Sequence, residues 1–439
     1  MLYEPTGYDH RKWPESYWRA SCADHSAFPA LDGATQADVA IIGAGYAGLN
    51  AALELVEQHG INVVVLDAAQ PGWGASGRNG GFCCLGGARL DERQIARRLG
   101  QDAAREWDRF THDAIARVED NLGRYRIDAQ TTEPGELTLA ASPQAWARLR
   151  TEAPPEGGRL MDRTALRENG LNTAAYLGGR YSPEGFGLHP YAYVTGLARA
   201  AQMAGVRLHG NSRVTQITPE AGDWRLDTAT GAVVARQVLI ASNGYSDEQL
   251  IPWLAGRILP AISNIMVTRP LTQAELDAQG WTRHLMAYDN RFLLHYFRLL
   301  PDNRLMYGAR GGISFESESV LRFAQRARAE FDLTFPHFKQ VETEFSWNGL
   351  VCLTATRAPF IGPVPEAQGL WLALGWHGNG VAAASEGGRR AARALMGETQ
   401  AAPALARRPM PRFYAPRKWV LRSSMALAGL VDGPMRVRG

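Results

Sequence analysis

The chain has 439 residues, beyond the roughly 250–300 at which single hydrophobic cores stop growing, so two domains are expected. A hydrophobic content of 45% and a charged content of 21% are ordinary for a globular protein, and a net charge of +3 argues against nucleic acid as the main partner. No apolar run reaches the ~20 residues of a membrane span, and the leader "MLYEPTGYDHRKWPESYWRASC" lacks the apolar core of a signal peptide. Cys22, Cys83, Cys84 and Cys352 are too few and too badly spaced for a disulfide framework or a zinc site, so reduced thiols and a cytoplasmic location are the simplest expectation. Lysine occurs only at positions 12, 339 and 418, which leaves it off the list of expected catalytic groups.

"ADVAIIG", residues 37–43, reads as a buried parallel strand, short, rich in β-branched residues and bounded by glycine. "YAGLNAALELVEQHG" follows with helical spacing and a closing Gly60, and "INVVVLDA" is a second buried strand. Strand, glycine turn, helix and strand thus fit one βαβ unit. Further on, "QDAAREWDRFTHDAIARVEDNLGRY" reads as a helix and "GELTLAA" as a strand. "YVTGLARAAQMAGVRLHGNSRVTQI" is another helix-to-strand passage, and "WRLDTATGAVVARQVLIASNGY" is a hairpin ending in a buried strand. Strands are expected in "ISNIMVTRPL", "FLLHYFRLL" and "NRLMYGAR", and the chain returns to strand and helix in "GLWLALGWHGNGVAAASEGGRRAARALMG".

In Gly43–Ala44–Gly45–Tyr46–Ala47–Gly48, the first glycine allows the tight turn and the second lets the backbone approach a pyrophosphate. The third lets the helix pack close to the sheet. The helix N-terminus offers unpaired N–H groups to phosphates. Asp67, followed by Ala68, ends the second strand, where an acid accepts hydrogen bonds from ribose hydroxyls and disfavours a 2′-phosphate. FAD and NAD both remain open on this unit alone. Two further stretches favour FAD. "GWGASGRNGGF" places Ser76, Gly77, Arg78, Asn79, Gly80 and Gly81 in a loop able to wrap a second phosphate and a flavin edge. "GWHGNGV" places Gly375, Trp376, Gly378, Asn379, Gly380 and Val381 before a helix whose positive end suits the charge of a reduced flavin.

With these pieces the chain resembles the D-amino-acid-oxidase-like superfamily of FAD enzymes, and within it the γ-glutamylputrescine oxidase group. The resemblance runs nearly end to end, through "SYWRAS", "GWGASGRNGG", "LHPYAYVTGLARAAQMAGV", "YFRLLPDNRLMYGAR" and "WNGLVCLTATRAPFIG". It implies a Rossmann-like α/β FAD domain of glutathione-reductase type, and a second α+β substrate domain whose large mixed sheet covers the flavin. Residues 1–95, 186–256 and 343–439 are expected in the first domain, and 96–185 and 257–342 in the second. By matching position Val214 offers a strand backbone to adenine, and Gly349 belongs to the flavin site. FAD is expected to be held non-covalently, although Cys352 falls near a site where some relatives attach it. None of the three lysines matches the one that some relatives use to promote reaction with oxygen, and Thr356 and Arg357 stand where relatives commonly carry Asp or Asn.

The implied reaction is oxidation of an amine C–N bond by hydride transfer to flavin N5, followed by imine hydrolysis, with O2 as acceptor. The small-molecule substrate is a γ-glutamyl polyamine, a free polyamine, an N-methyl amino acid or a D-amino acid. Transfer of electrons to a quinone or carrier protein, and flavin binding without turnover, stand as alternatives. His377 beside the flavin is the first catalytic candidate, with loop orientation as its structural alternative. Tyr296 and Arg298 share one face of a strand that the resemblance places near the active site, and Arg298 is expected to bind a substrate carboxylate, with pairing to an acid of its own domain as the alternative. Trp347 is expected in the core, with a place in the pocket wall as the alternative, and His189 is expected to cap the helix after Pro190. Oligomeric state is left open.

Overall fold

The structure is a computed structural model describing residues 2–433 and 435. Two sheets organise it. In the first, Gly33–Ile42 runs parallel between Gly231–Ile240 and Val63–Leu66, with Ile41 level with Leu239 and Val65. Arg207–His209 extends the parallel set beyond Val63–Leu66, and Leu370–Leu374 extends it beyond Gly231–Ile240. The hairpin Asp223–Asp227 and Gly231–Ile240 is antiparallel, as its sequence predicts.

Residues 39–41, 63–66 and 238–240 of these strands are buried on both faces, which is why they read as continuous apolar runs rather than alternating ones. Val39, Ile41, Val63 and Val65 pack with the helices Tyr46–His59, Pro190–Met203 and Gly380–Leu395. Ala40, Val64 and Leu66 pack into a separate cluster on the opposite face. Helix Tyr46–His59 stops at Gly60, which takes the left-handed conformation and donates to Val56 O. His189 caps Pro190–Met203 through Nδ1, which accepts from the Ala192 N–H at 3.1 Å.

The second sheet orders Thr343–Thr354, Ile258–Thr268, Leu305–Arg310, His295–Leu299, Met286–Asp289, Pro134–Leu139, Gly178–Gly187 and Phe82–Cys83. Pairing fixes its two faces. Leu137, Ala287, Phe297, Leu299 and Tyr307 form an apolar core on one side. Glu136, Tyr288, Tyr296, Ser263 and Arg310 stand on the other, toward the first sheet.

Three segments pair or pack away from the unit expected for them. Thr343–Thr354 pairs along Ile258–Thr268 and is an edge strand of the second sheet, not part of the first unit. Phe82–Cys83 also pairs into the second sheet, against Phe186 and Gly187. Helix Gln101–Arg124 packs instead on Gly380–Leu395, where Arg390 bonds Asp113 at 2.9 Å. A strand's sheet is decided by its distant partner, and nothing local in 343–354 names that partner. A C-terminal helix, Arg417–Asp432, carries exposed Trp419 and Leu430. Among the described residues no helix is long and apolar enough to cross a membrane, and no group of His, Cys, Asp and Glu could hold a metal ion.

Candidate active site

A cavity of about 370 Å³ opens at the C-terminal ends of the parallel strands, where Ile42, Leu66 and Ala241 form its floor, and runs to the inner face of the second sheet. Open α/β sheets place ligands in this crevice.

The glycine turn supplies one wall. Gly43 has φ +107°, a conformation reserved in practice for glycine. A Cβ on Gly48 would lie 1.9 Å from Gly43 O, so the close helix-to-turn approach requires glycine there. Ala44, Gly45, Tyr46 and Ala47 line the cavity, and helix Tyr46–His59 begins at Gly45 with no side-chain cap from its own N-cap residue. Asp67 lines the cavity beside Ala68 and accepts from the Ala44 N–H at 2.7 Å and the Ala69 N–H at 2.9 Å. Burial raises its pKa, and those two bonds oppose the rise. The turn and the acid thereby fix each other.

The loop after the acid is tied to the same turn. Ser76 Oγ accepts from the Tyr46 N–H at 3.1 Å, and the Tyr46 hydroxyl donates to Ser76 O at 2.7 Å. Asn79 Oδ1 accepts from the Gly81 N–H at 2.8 Å. Arg78 Nη1 donates to Asn348 O at 3.3 Å, and its guanidinium lies 4.2 Å from the centre of the Trp73 ring. Trp347, buried in the core, donates through Nε1 to Arg78 O at 2.8 Å. Ser76, Arg78, Asn79, Gly80 and Gly349 line the cavity. Gly48, Gly77, Gly81 and Gly375 do not; a Cβ on Gly77 or Gly81 would lie about 2 Å from a carbonyl oxygen, so backbone passes close behind the cavity there, and one on Gly375 would meet the Thr354 side chain at 2.7 Å.

A second helix start stands across the cavity. Gly380–Leu395 has no side-chain cap, because its N-cap Asn379 turns away to donate to Leu85 O at 2.8 Å. Trp376, Gly378, Asn379, Gly380 and Val381 line the cavity there. The approach loop is held by Asn243, whose Oδ1 accepts from the Gly375 N–H at 2.9 Å.

Val214 lines the cavity from a loop between Arg207–His209 and Gln216–Glu220 rather than from a strand, a correction to the sequence reading. Lying outside the ladders, its backbone N–H and C=O make no hydrogen bond to another described residue.

The catalytic candidates separate. Tyr296 lines the cavity, and its hydroxyl lies 3.0 Å from Ser263 Oγ. Arg298 does not: it is 1% exposed, its Nε donates to Gly80 O at 3.1 Å and its Nη2 to Leu188 O at 2.6 Å. Its donors are engaged in holding the flavin loop, so the expected carboxylate role does not fit its position. The His377 ring is also behind the wall, with Nε2 3.2 Å from Thr354 Oγ1 and Nδ1 buried without a partner. Burial, reinforced by Arg89, lowers its pKa to about 3, which keeps the ring neutral. Its geometry is that of a loop-orienting residue.

Arg310 was missed. It lines the cavity from the same face as Tyr296, its Nε is buried without a partner, and its Nη2 makes a long 3.4 Å bond to His377 O. No carboxylate pairs with it among the described residues, and burial, with Arg89 nearby, lowers its pKa to about 9. Sequence periodicity offered a signal, since "YGAR" continues the strand that pairs with Tyr296, but only the pairing shows which face its last residue takes.

These features suit FAD. Two helix starts that lack a cap from their own N-cap residue meet one cavity, an oriented acid closes the second strand, and Val214 leaves its backbone groups free for an adenine edge. The family described as DAO, FAD dependent oxidoreductase, matches residues 38–394. Gamma-glutamylputrescine oxidoreductase of Escherichia coli K12 is 31% identical over 432 residues, 96% of this chain and 98% of its own. Probable oxidoreductase OrdL of Haemophilus influenzae is 31% identical over 395 residues, 88% of this chain and 89% of its own. The crystal structure of glycine oxidase from Geobacillus kaustophilus shares the fold, with a TM-score of 0.69 at 23% identity over 87% of this chain and 100% of that one. A fold, a dinucleotide cradle and a near full-length family match therefore agree, and the chain belongs to the DAO family of FAD-dependent oxidoreductases.

Proposed function

We propose that the protein oxidises the C–N bond of an amine that also carries a carboxylate, an amino acid or a γ-glutamylputrescine-like compound, with O2 as electron acceptor. The observation that carries this reading is Arg310, a cation in the cavity wall with no acidic partner among the described residues. An arginine left in this state is a receptor for a carboxylate, which it can bind through paired charge-assisted hydrogen bonds. The names of the E. coli relative and of the glycine oxidase neighbour support an amine or amino-acid substrate.

FAD, when bound, supplies the two-electron acceptor. Gly43 to Ala47, Asp67, Ser76 and Val214 would hold its adenosine and phosphate part, and Trp376 to Val381 its ring end. Arg310 fixes the substrate by its carboxylate, and the Tyr296 hydroxyl offers a polar contact beside it. Ile265, Leu294 and Phe82 make that end of the cavity apolar, which favours the neutral amine over the ammonium ion and so leaves its lone pair available. Loss of a hydride and a proton leaves an imine, which water hydrolyses to a carbonyl compound and the released amine or ammonia.

FAD is held without a covalent bond in this reading, in the cytoplasm. Cys352 lines the cavity, but burial raises its pKa to about 12, so the thiolate needed for attachment is scarce. A second reading replaces O2 by a quinone or carrier protein; it is favoured by the absence of any lysine from the cavity wall among the described residues.

Anaerobic bleaching of the flavin by γ-glutamylputrescine, putrescine, sarcosine, glycine and D-amino acids tests the proposal. Bleaching by carboxylate-bearing amines supports it, and peroxide on admitting air assigns O2. Bleaching by none of them, or only by amines without a carboxylate, refutes it.

A further inference from the structure

Behind the same wall lies a second ionisable group that the reaction does not use. Glu136 shares the inner face of the second sheet with Tyr288, Tyr296 and Arg310. It is 8% exposed, its Oε1 accepts from the Tyr288 hydroxyl at 3.3 Å, and its Oε2 is buried without a partner. Tyr288 and Cys84, its polar neighbours, both line the cavity. Burial lifts its pKa to about 7, with Glu184 adding to the rise. Arg180, the cation nearest in effect, donates instead to Glu152 at 2.8 Å. A buried carboxylate with an unsatisfied oxygen is costly to keep. A cation brought to Tyr288 offsets part of that cost through its charge, because the Tyr288 hydroxyl donates to Glu136 while the residue itself lines the cavity.

We propose that Tyr288 and Glu136 form a cation subsite, in which Tyr288 touches an ammonium group of the substrate and Glu136 supplies the opposing charge from behind. The inference rests on the carboxylate-binding role of Arg310, and it specifies the shape of the substrate. Tyr288, which meets the ammonium, lies two strands from Arg310, roughly 10 Å, and two residues along the strands, roughly 7 Å. Both side chains leave the same face of the sheet, so the two ligand charges are on the order of 12 Å apart. The substrate is therefore elongated, a carboxylate at one end and an ammonium at the other, and glycine is too short to engage both.

The test measures binding separately from turnover. Calorimetry on the dithionite-reduced, FAD-loaded enzyme compares γ-glutamylputrescine with γ-glutamylbutylamide, which differs in the terminal ammonium. The wild type is expected to bind the butylamide at least ~10-fold more weakly, and Glu136→Gln to lose most of that difference while binding the butylamide as before. Tyr288→Phe, which keeps the ring, is expected to lose part of it. Equal binding of the two ligands by the wild type overturns the subsite, and so does a preference that survives in Glu136→Gln. If Glu136→Gln does not fold, the wild-type comparison and Tyr288→Phe decide on the same criteria. Failure of γ-glutamylputrescine and every other panel amine to bleach the oxidised enzyme counts against the proposed reaction, while the reduced-state affinities still decide the subsite.

Discussion

Replacing Arg310 with Met keeps the length of the side chain and removes its charge. In the folded protein the guanidinium has one long bond, to His377 O at 3.4 Å, and a buried Nε with no partner. Little native-state bonding is lost on substitution, so thermal stability is expected to hold or rise slightly. Binding is different. A hydrogen bond to a charged group contributes about 1.5–3 kcal/mol, and each 1.4 kcal/mol is a factor of about ten. Arg310→Met should therefore raise KM for γ-glutamylputrescine by roughly 10- to 150-fold. The α-methyl ester of γ-glutamylputrescine, which keeps both amines and masks the carboxylate, should show no such change. Steady-state kinetics on both, with FAD content and flavin spectrum as controls, separate a lost contact from a damaged fold. An unchanged KM for γ-glutamylputrescine, or an equal loss on both compounds, would refute the assignment.

Arg298→Met should leave the carboxylate preference intact and instead destabilise the protein by about 1–3 kcal/mol for each carbonyl left unpaired, seen as a lower denaturation midpoint and faster FAD loss; a selective rise in KM for carboxylate substrates would contradict this. Asp67→Ala should weaken FAD binding roughly 10- to 100-fold, measured by titrating the apoprotein, because the Ala44 and Ala69 N–H groups lose the acceptor that fixes the turn. Acid precipitation should release all of the flavin into the supernatant, and flavin retained by the chain would show attachment, with Cys352→Ala identifying the site. His377 has its pKa lowered to about 3 in the fold, below the unfolded value near 6.5. Its contribution to stability is thus present above about pH 6.5 and is lost as pH falls toward 3. His377→Gln should flatten that part of the stability profile while leaving the shape of the kcat/KM profile between pH 6 and 9 unchanged, and loss of an inflection there would restore His377 as an acid–base group.

Much of the FAD half was legible in the sequence because its signals are local. A turn that needs φ +107° at Gly43, a helix that needs no Cβ at Gly48 and an acid at the end of the next strand each follow from adjacent residues. The capping role of His189 was legible for the same reason. The substrate face was not. Tyr296, Arg298 and Arg310 all face one side of the second sheet, yet Arg298 is drawn onto the carbonyls of Gly80 and Leu188 while Arg310 is left open to the cavity. Those carbonyls come from segments more than 100 residues away in the chain, and no periodicity reports which arginine they engage. Likewise the strand 343–354 and the helix 101–124 show their type locally, but not the unit they join. Short-range stereochemistry therefore determined the cofactor cradle and the family. Long-range pairing alone decided which charges stay unpaired beside it, because a side chain's availability depends on partners that only the folded chain brings together.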